Sequence, residues 1–124
     1  MSLHDRPSAP APRLRWTGIL FALAANLFLV TAAHLFVGRL FGPGALAPEL
    51  LATVAAPVLA GAATALYVES RGAMHAFIGG MASAVLLGLL VFAGVWQMAI
   101  FAGAFCTLGG ALTEILLRRR RRDR

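Results

Sequence analysis

Apolar residues fall into four runs along the chain, and each run is long enough to cross a membrane as an α-helix. The runs cover about residues 16–37, 48–68, 73–92 and 95–117. An α-helix rises about 1.5 Å per residue, so about 20 residues span the hydrocarbon core of a bilayer. The pattern therefore predicts an all-α integral membrane protein, a four-helix bundle built as two transmembrane hairpins.

The segments between the runs carry residues that end helices. Gly42-Pro43-Gly44 separates the first two runs, residues 69–72 separate the second from the third, and Ala93-Gly94 precedes the fourth. Glycine and proline are the residues that most strongly interrupt a helix. We predict that Gly72 adopts the left-handed conformation that ends the second helix.

The first run needs a choice between two interpretations. It is longer than the apolar region of a signal peptide, which is about 7–15 residues. Thr31-Ala32-Ala33 is similar to the small-residue site at which a signal peptide is cleaved. A transmembrane helix remains the preferred interpretation, with a signal peptide as the alternative.

Small residues recur at every fourth position in the last two runs. The third run carries Ala76, Gly80, Ala84 and Gly88, and the fourth carries Ala99, Gly103, Thr107 and Ala111. Small side chains at this spacing form a groove that lets two helix backbones approach closely within lipid. We predict that these eight residues form the contact between the third and fourth helices.

Composition excludes an ordinary soluble domain. Hydrophobic residues make up 60% of the 124 residues, and the mean hydropathy is +0.81. A soluble domain of this size has too much surface to bury so large an apolar fraction. The length allows one domain at most, and the single cysteine, Cys106, can form no intramolecular disulfide.

The distribution of the eleven arginines predicts the orientation in the membrane. Three lie in residues 1–15, six in residues 118–124 and one in the 69–72 turn, whereas Arg39 alone lies on the other side. Cytoplasmic segments carry the excess of basic residues. We therefore predict a multi-pass protein of the inner (plasma) membrane with a disordered cytoplasmic tail over residues 1–15 and a basic cytoplasmic tail over residues 118–124.

The basic tail points to lipid as a partner. Arginines beside a helix end attract the anionic headgroups of the inner leaflet, and we predict this contact for Arg118, Arg119, Arg120, Arg121 and Arg122. Glu114 lies four residues before Arg118, which is the favourable order for an ion pair on a helix. The net charge of +6 is concentrated at the chain ends and is not spread over a soluble face, so no nucleic-acid partner is expected.

One carboxamide, Asn26, lies deep in an apolar run. Polar groups inside a membrane are candidates for ligand or ion contacts. We favour a structural role, a hydrogen bond between helices worth about 0.6 kcal/mol on average. Pro57 leaves the carbonyl of Thr53 without a backbone donor, and we predict that Asn26 or Thr31 supplies one.

The residue types needed for catalysis do not occur in a recognisable pattern. His34 and His75 are predicted to lie on opposite sides of the membrane, so they cannot share a metal ion. The chain has no nucleophile–base pair and no phosphate-binding loop. We therefore expect no enzyme activity and no cofactor.

Short glycine-rich segments in the middle third of the chain carry a resemblance to known proteins. These are Ala60-Gly61-Ala62-Ala63, Arg71-Gly72, Phe77-Ile78-Gly79-Gly80 and Leu86-Leu87-Gly88-Leu89-Leu90. The chain resembles a group of small bacterial four-helix transmembrane proteins of unknown function. The resemblance implies the architecture and no activity.

Two function classes follow from these observations. The leading one is a non-catalytic integral membrane protein, either an accessory or structural subunit or a lipid-associated bundle. Its expected partners are membrane lipids and other membrane subunits or a second copy of the chain. The alternative is a small homo-oligomeric channel or transporter, which is less favoured because the runs lack the ionisable groups that mark transport paths.

Overall fold

The computed structural model describes residues 13–124 as four helices that run alternately up and down. Helix α1 spans Trp16–Phe41, α2 spans Leu46–Val68, α3 spans Gly72–Leu86 and α4 spans Trp96–Arg122. A π-helical turn, Leu87–Val91, continues α3 directly. All four segments are long and apolar enough to cross a membrane. The predicted all-α four-helix bundle is confirmed, and its helices fit a multi-pass membrane protein.

The helices form a four-membered ring in which α2 and α3 lie closest to the centre. Helix α1 packs against α2 and α3 on one side, and α4 packs against the same two helices on the other, so α1 and α4 barely touch. One end of the bundle brings together the start of α1, the α2–α3 turn and the end of α4. Two hydrogen bonds show this: the backbone N–H of Arg15 donates to His75, and Arg121 donates to the carbonyl of Glu69. We call this the basic end of the bundle.

The α2–α3 turn uses left-handed residues other than the one predicted. Glu69 and Arg71 have φ values of 61° and 52°, whereas Gly72 begins α3. The prediction for Gly72 was therefore wrong. Glycine serves a different purpose here, because a Cβ at Gly72 would lie 2.6 Å from the Cβ of Ala65. The absence of a side chain lets α3 start close against the end of α2.

Two helices end well beyond the predicted spans. Helix α1 continues to Phe41, where Gly42 with a φ of 79° ends it, and α4 continues through most of the predicted basic tail to Arg122. Arginine has a high helix propensity, and cations near a helix C-terminus interact favourably with its dipole. Most of the predicted disordered tail, residues 1–12, lies outside the described residues.

Small side chains fill the interior, and large apolar side chains face outward. Two clusters of buried residues make up the core: Val30, Ala56, Ala84, Leu87, Ala99 and Ala102 in one, and Ala60, Ala76 and Cys106 in the other. By contrast, Phe28 is 71% exposed and Leu90 is 76% exposed. This distribution suits a bundle surrounded by lipid, where helices associate through close packing of small residues.

Candidate functional site

Backbone contact between α2 and α4 is the tightest feature of the bundle. A Cβ at Gly61 would overlap the carbonyl oxygen of Cys106, and a Cβ at Gly109 would overlap the carbonyl oxygen of Val58. Both glycines are buried. The two backbones therefore touch over about one helical turn, from Val58 to Gly61 on α2 and from Cys106 to Gly110 on α4, with no side chain between them. Neither glycine was among the residues predicted to form a helix contact.

The predicted stripe on α3 is buried along its whole length. Ala76, Gly80 and Ala84 lie on the buried face of α3, and Gly88 is buried in the π-helical turn. Gly80 faces α4, because a Cβ there would lie 3.2 Å from the carbonyl oxygen of Gly103. Gly88 instead contacts the ring of Trp96, whose nearest carbon would lie 2.6 Å from an added Cβ.

The contact face of α4 departs from the predicted stripe after its first turns. Ala99 and Gly103 are buried, but Thr107 and Ala111 are half-buried. Cys106 and Gly110 take their place: Cys106 lies against Gly80, and a Cβ at Gly110 would lie 2.6 Å from the Cβ of Ala76. A helix has about 3.6 residues per turn, so a strict four-residue stripe rotates away from its neighbour. Steps of three and four residues keep the contact in place.

Asn26 and Ser83 form a polar pair between α1 and α3. The Nδ2 of Asn26 donates to the Oγ of Ser83 over 2.6 Å, and that hydroxyl donates to the carbonyl of Gly80 over 2.7 Å. Both side chains are fully buried. The Oδ1 of Asn26 has no hydrogen-bond donor among residues 13–124. The pair therefore joins two helices and leaves one buried acceptor unpartnered.

The predicted hydrogen bond to the carbonyl of Thr53 does not form. Asn26 bonds to α3 instead of α2, and half-buried Thr31 makes no bond to that carbonyl within the described chain. The Thr53 hydroxyl donates to the carbonyl of Glu49 over 2.7 Å. Pro57 itself is buried, and α2 continues through it. The prediction was wrong because the side-chain N–H of Asn26 donates to Ser83 on α3, and Asn26 therefore faces α3 and not Pro57 in α2.

No protein-family model, curated protein or solved structure matches this chain. A fold shared by many unrelated activities does not specify a function. The polar and charged groups themselves must therefore support the functional interpretation.

Glu114 connects α4 to the start of α3 at the basic end. Its Oε2 accepts the backbone N–H of Ala73 over 3.0 Å, and its Oε1 accepts a bond from Arg118 over 2.6 Å. The predicted pair of Glu114 and Arg118 is confirmed. The contact with Ala73 was not predicted. A carboxylate at a helix N-terminus satisfies an unbonded N–H group and interacts favourably with the helix dipole.

A charged pocket of ≈200 Å³ lies beside Glu114, and we call it the basic pocket. Its polar walls are Glu69, Ser70, Arg71, Glu114, Arg118 and Arg121, and its apolar wall includes Ala65 and Leu117. A second hollow of ≈220 Å³ is lined by Leu117, Arg120, Arg121 and Arg124. Of the five arginines predicted to contact lipid, Arg119 and Arg122 line neither hollow.

His75 joins the start of α1 to the start of α3. Its Nδ1–H donates to the carbonyl of Arg71 over 2.8 Å, and its Nε2 accepts the backbone N–H of Arg15 over 2.9 Å. The ring is almost fully buried and lies against Gly18. A neutral imidazole with one donor and one acceptor nitrogen satisfies both bonds.

His34 lies at the opposite end of the bundle. Its Nδ1 lies 2.9 Å from the carbonyl of Val30, its Nε2 lies 3.3 Å from the Oγ1 of Thr53, and its ring edge meets Phe92. Residues 13–124 contain no group of three or more His, Cys, Asp or Glu side chains that could hold a metal ion.

An apolar groove of ≈850 Å³ opens between α1 and α2. Thirteen residues line it: Leu29, Ala32, Ala33, Phe36, Val37, Phe41, Ala47, Pro48, Leu51, Ala52, Ala55, Ala56 and Leu59. Every lining side chain is apolar, so the groove suits an acyl chain or the side chains of another apolar helix. The groove lies away from the basic end.

Proposed function

We propose that this chain is a non-catalytic integral membrane protein, an accessory or structural subunit or a lipid-associated bundle. The observation that carries the proposal is the backbone contact of α2 with α4 at Gly61 and Gly109. A conducting path needs space and polar groups along its walls. Helices that touch backbone to backbone leave neither along their contact.

The arginines support the proposed orientation. Arg13, Arg15, Arg71 and the arginines of residues 118–124 all lie at the basic end, whereas Arg39 lies at the opposite end. Basic residues are retained on the cytoplasmic side, so we place both termini in the cytoplasm of a cell with the protein in its inner (plasma) membrane. We assign a bacterial origin on the sequence resemblance alone.

Two surfaces support a role as a partner for lipids or other subunits. The arginines of the basic end attract anionic lipid by about 1 kcal/mol per residue near the membrane surface. The groove between α1 and α2 offers an apolar surface for acyl chains, for a helix of another subunit or for a second copy of the chain. Large apolar hollows of this kind mark interaction sites.

A second candidate function, a small homo-oligomeric channel or transporter, is favoured by one observation. The Oδ1 of Asn26 is buried in the described chain without a donor, and unpartnered polar groups within a membrane are candidates for solute contacts. Copies of the bundle would have to enclose the path between them, because the α2–α4 contact is closed.

Flux through proteoliposomes separates the two candidates. The purified full chain is reconstituted into vesicles loaded with K⁺, Na⁺ or a fluorescent solute, beside protein-free vesicles and vesicles with the Asn26→Leu variant. We expect the protein to release no more solute than protein-free vesicles do. A reproducible flux that Asn26→Leu abolishes would overturn the non-catalytic accessory role in favour of transport.

A further inference from the structure

We propose that the basic pocket binds the phosphate of one anionic phospholipid, as a defined site rather than as diffuse attraction to the arginine-rich segment. The inference rests on the proposed lipid association and adds the residues that select the lipid. The pocket is assembled from the α2–α3 turn and the end of α4, which meet only in the folded bundle.

The charges of the pocket leave a surplus for an anion. Three arginines and two glutamates line it. Both oxygens of Glu114 are already engaged, one by the N–H of Ala73 and the other by Arg118. Glu114 therefore holds the pocket wall together and does not neutralise Arg121.

Arg121 is the arginine best placed to receive the phosphate. It lines both the basic pocket and the neighbouring hollow, and its Nη2 lies 3.5 Å from the carbonyl oxygen of Glu69. That bond is long and its acceptor is neutral. A guanidinium carries five N–H donors and binds phosphate oxygens in pairs, so Arg121 has donors and a geometry to offer.

The depth of the pocket indicates a lipid rather than a soluble phosphate. Tyr67, which lies between the lining residues Ala65 and Glu69, is 53% exposed, and its ring stacks on Phe21 with the ring centroids 4.5 Å apart. Exposed tyrosines mark the headgroup level of a membrane. Leu117 lines the pocket itself, and Leu116 beside it is 60% exposed. A phosphate in the pocket would thus sit at headgroup depth with apolar surface below it for acyl chains.

The arrangement on α4 provides a matched control within the same helix. Arg118 and Arg121 are three residues apart and share one helix face, and both line the pocket. Arg119 and Arg122 carry the same charge on the same helical segment but line neither hollow. If the attraction to lipid is diffuse, neutralising any of these four arginines weakens lipid binding equally. If the pocket is a defined site, neutralising an arginine that lines it weakens binding more.

Native mass spectrometry of the full chain in detergent tests the site. The protein is titrated with phosphatidylglycerol or with phosphatidylcholine of the same acyl chains, and the fraction carrying one lipid is measured. We expect one phosphatidylglycerol per chain to bind in preference to phosphatidylcholine. Arg121→Gln should weaken that binding about tenfold, as expected for losing a charge-assisted pair of hydrogen bonds. Arg119→Gln should weaken it less than about twofold, and Arg121→Lys should restore part of the loss.

Three results would overturn the site. Equal losses for Arg119→Gln and Arg121→Gln would show diffuse attraction, which removes the site but leaves the proposed lipid association standing. If the unaltered protein binds phosphatidylglycerol and phosphatidylcholine equally, both the defined site and the proposed association with anionic lipid are wrong. A thermal stabilisation by inorganic phosphate as large as that by phosphatidylglycerol would overturn the assignment to lipid.

Discussion

At the scale of single residues, the glycines of this chain differ sharply in how much space surrounds them. A Cβ at Gly61 would overlap the backbone of Cys106, whereas a Cβ at Gly38 in α1 would meet nothing within 4 Å. The same substitution, glycine to alanine, therefore tests packing at one position and helix propensity at the other. Gly38 is a matched control because it too lies inside a helix.

We expect Gly61→Ala to destabilise the bundle and Gly38→Ala to leave it unchanged or slightly stabilised. Overpacking a close contact costs about 1–3 kcal/mol, and alanine at an open helical site gains up to about 1 kcal/mol over glycine. Thermal unfolding of the two variants in detergent measures the difference. Equal midpoints would mean that α2 and α4 are not in backbone contact.

The pair of Asn26 and Ser83 makes a second residue-scale prediction. Removing either side chain should destabilise the bundle, and a double-mutant cycle with Asn26→Ala and Ser83→Ala should give a coupling free energy of about 0.6 kcal/mol. The cycle is measured from unfolding equilibria in mixed detergent micelles. A coupling of zero would mean that the hydrogen bond between these residues contributes nothing, even though both are buried.

At the scale of helices, Glu114 stabilises the start of a helix other than its own. The carboxylate accepts the N–H of Ala73 in the first turn of α3. We expect Glu114→Ala to speed hydrogen exchange at the start of α3 and to destabilise the bundle by about 1 kcal/mol, the usual cost of losing a helix cap. Hydrogen–deuterium exchange read by mass spectrometry measures this.

Glu49→Ala is the matched control for that experiment. Glu49 lies in the first turn of its own helix, α2, so its loss should leave exchange in α3 unchanged. Equally fast exchange at the start of α3 in both variants would contradict the cap. It would indicate a general response to losing a carboxylate.

Hydrophobic patterning predicted the helices well, because a run of about 20 apolar residues has few alternatives to a membrane helix. Contacts between helices were predicted less well. Gly80 and Gly103 do meet, but the tightest contact involves Gly61 and Gly109. Nothing in a sequence with 13 glycines marks which of them will face a neighbouring backbone, since that depends on the rotation of each helix.

Polar contacts between helices were the hardest to anticipate. Glu114 pairs with Arg118 as its spacing on one helix predicted. Its bond to Ala73 and the bond of Asn26 to Ser83 each join residues more than 40 positions apart. Such bonds depend on how deep each residue lies in the membrane and on how each helix is rotated about its axis. A single sequence does not determine either. The same is true of the π-helical end of α3.

At the scale of the whole molecule, small buried residues fill the interior of residues 13–124, and large apolar side chains face outward. The core of the bundle consists mainly of alanines, glycines and a few larger side chains, and its charges are concentrated at one end. We propose that close helix contact leaves no water-filled path through a single chain. Cys106 belongs to α4. Its carbonyl oxygen faces Gly61 of α2, its side chain faces Gly80 of α3, and the residue is fully buried.

The reactivity of Cys106 tests this claim most directly. It is the single cysteine of the chain, so N-ethylmaleimide can label no other thiol. Gln97→Cys combined with Cys106→Ala moves the thiol to the exposed first turn of α4, at the end of its apolar span, and serves as the control. We predict that Cys106 in the folded protein stays unlabelled for the time in which the control and the SDS-denatured protein react. Labelling of folded Cys106 at the rate of the denatured protein would contradict the closed bundle.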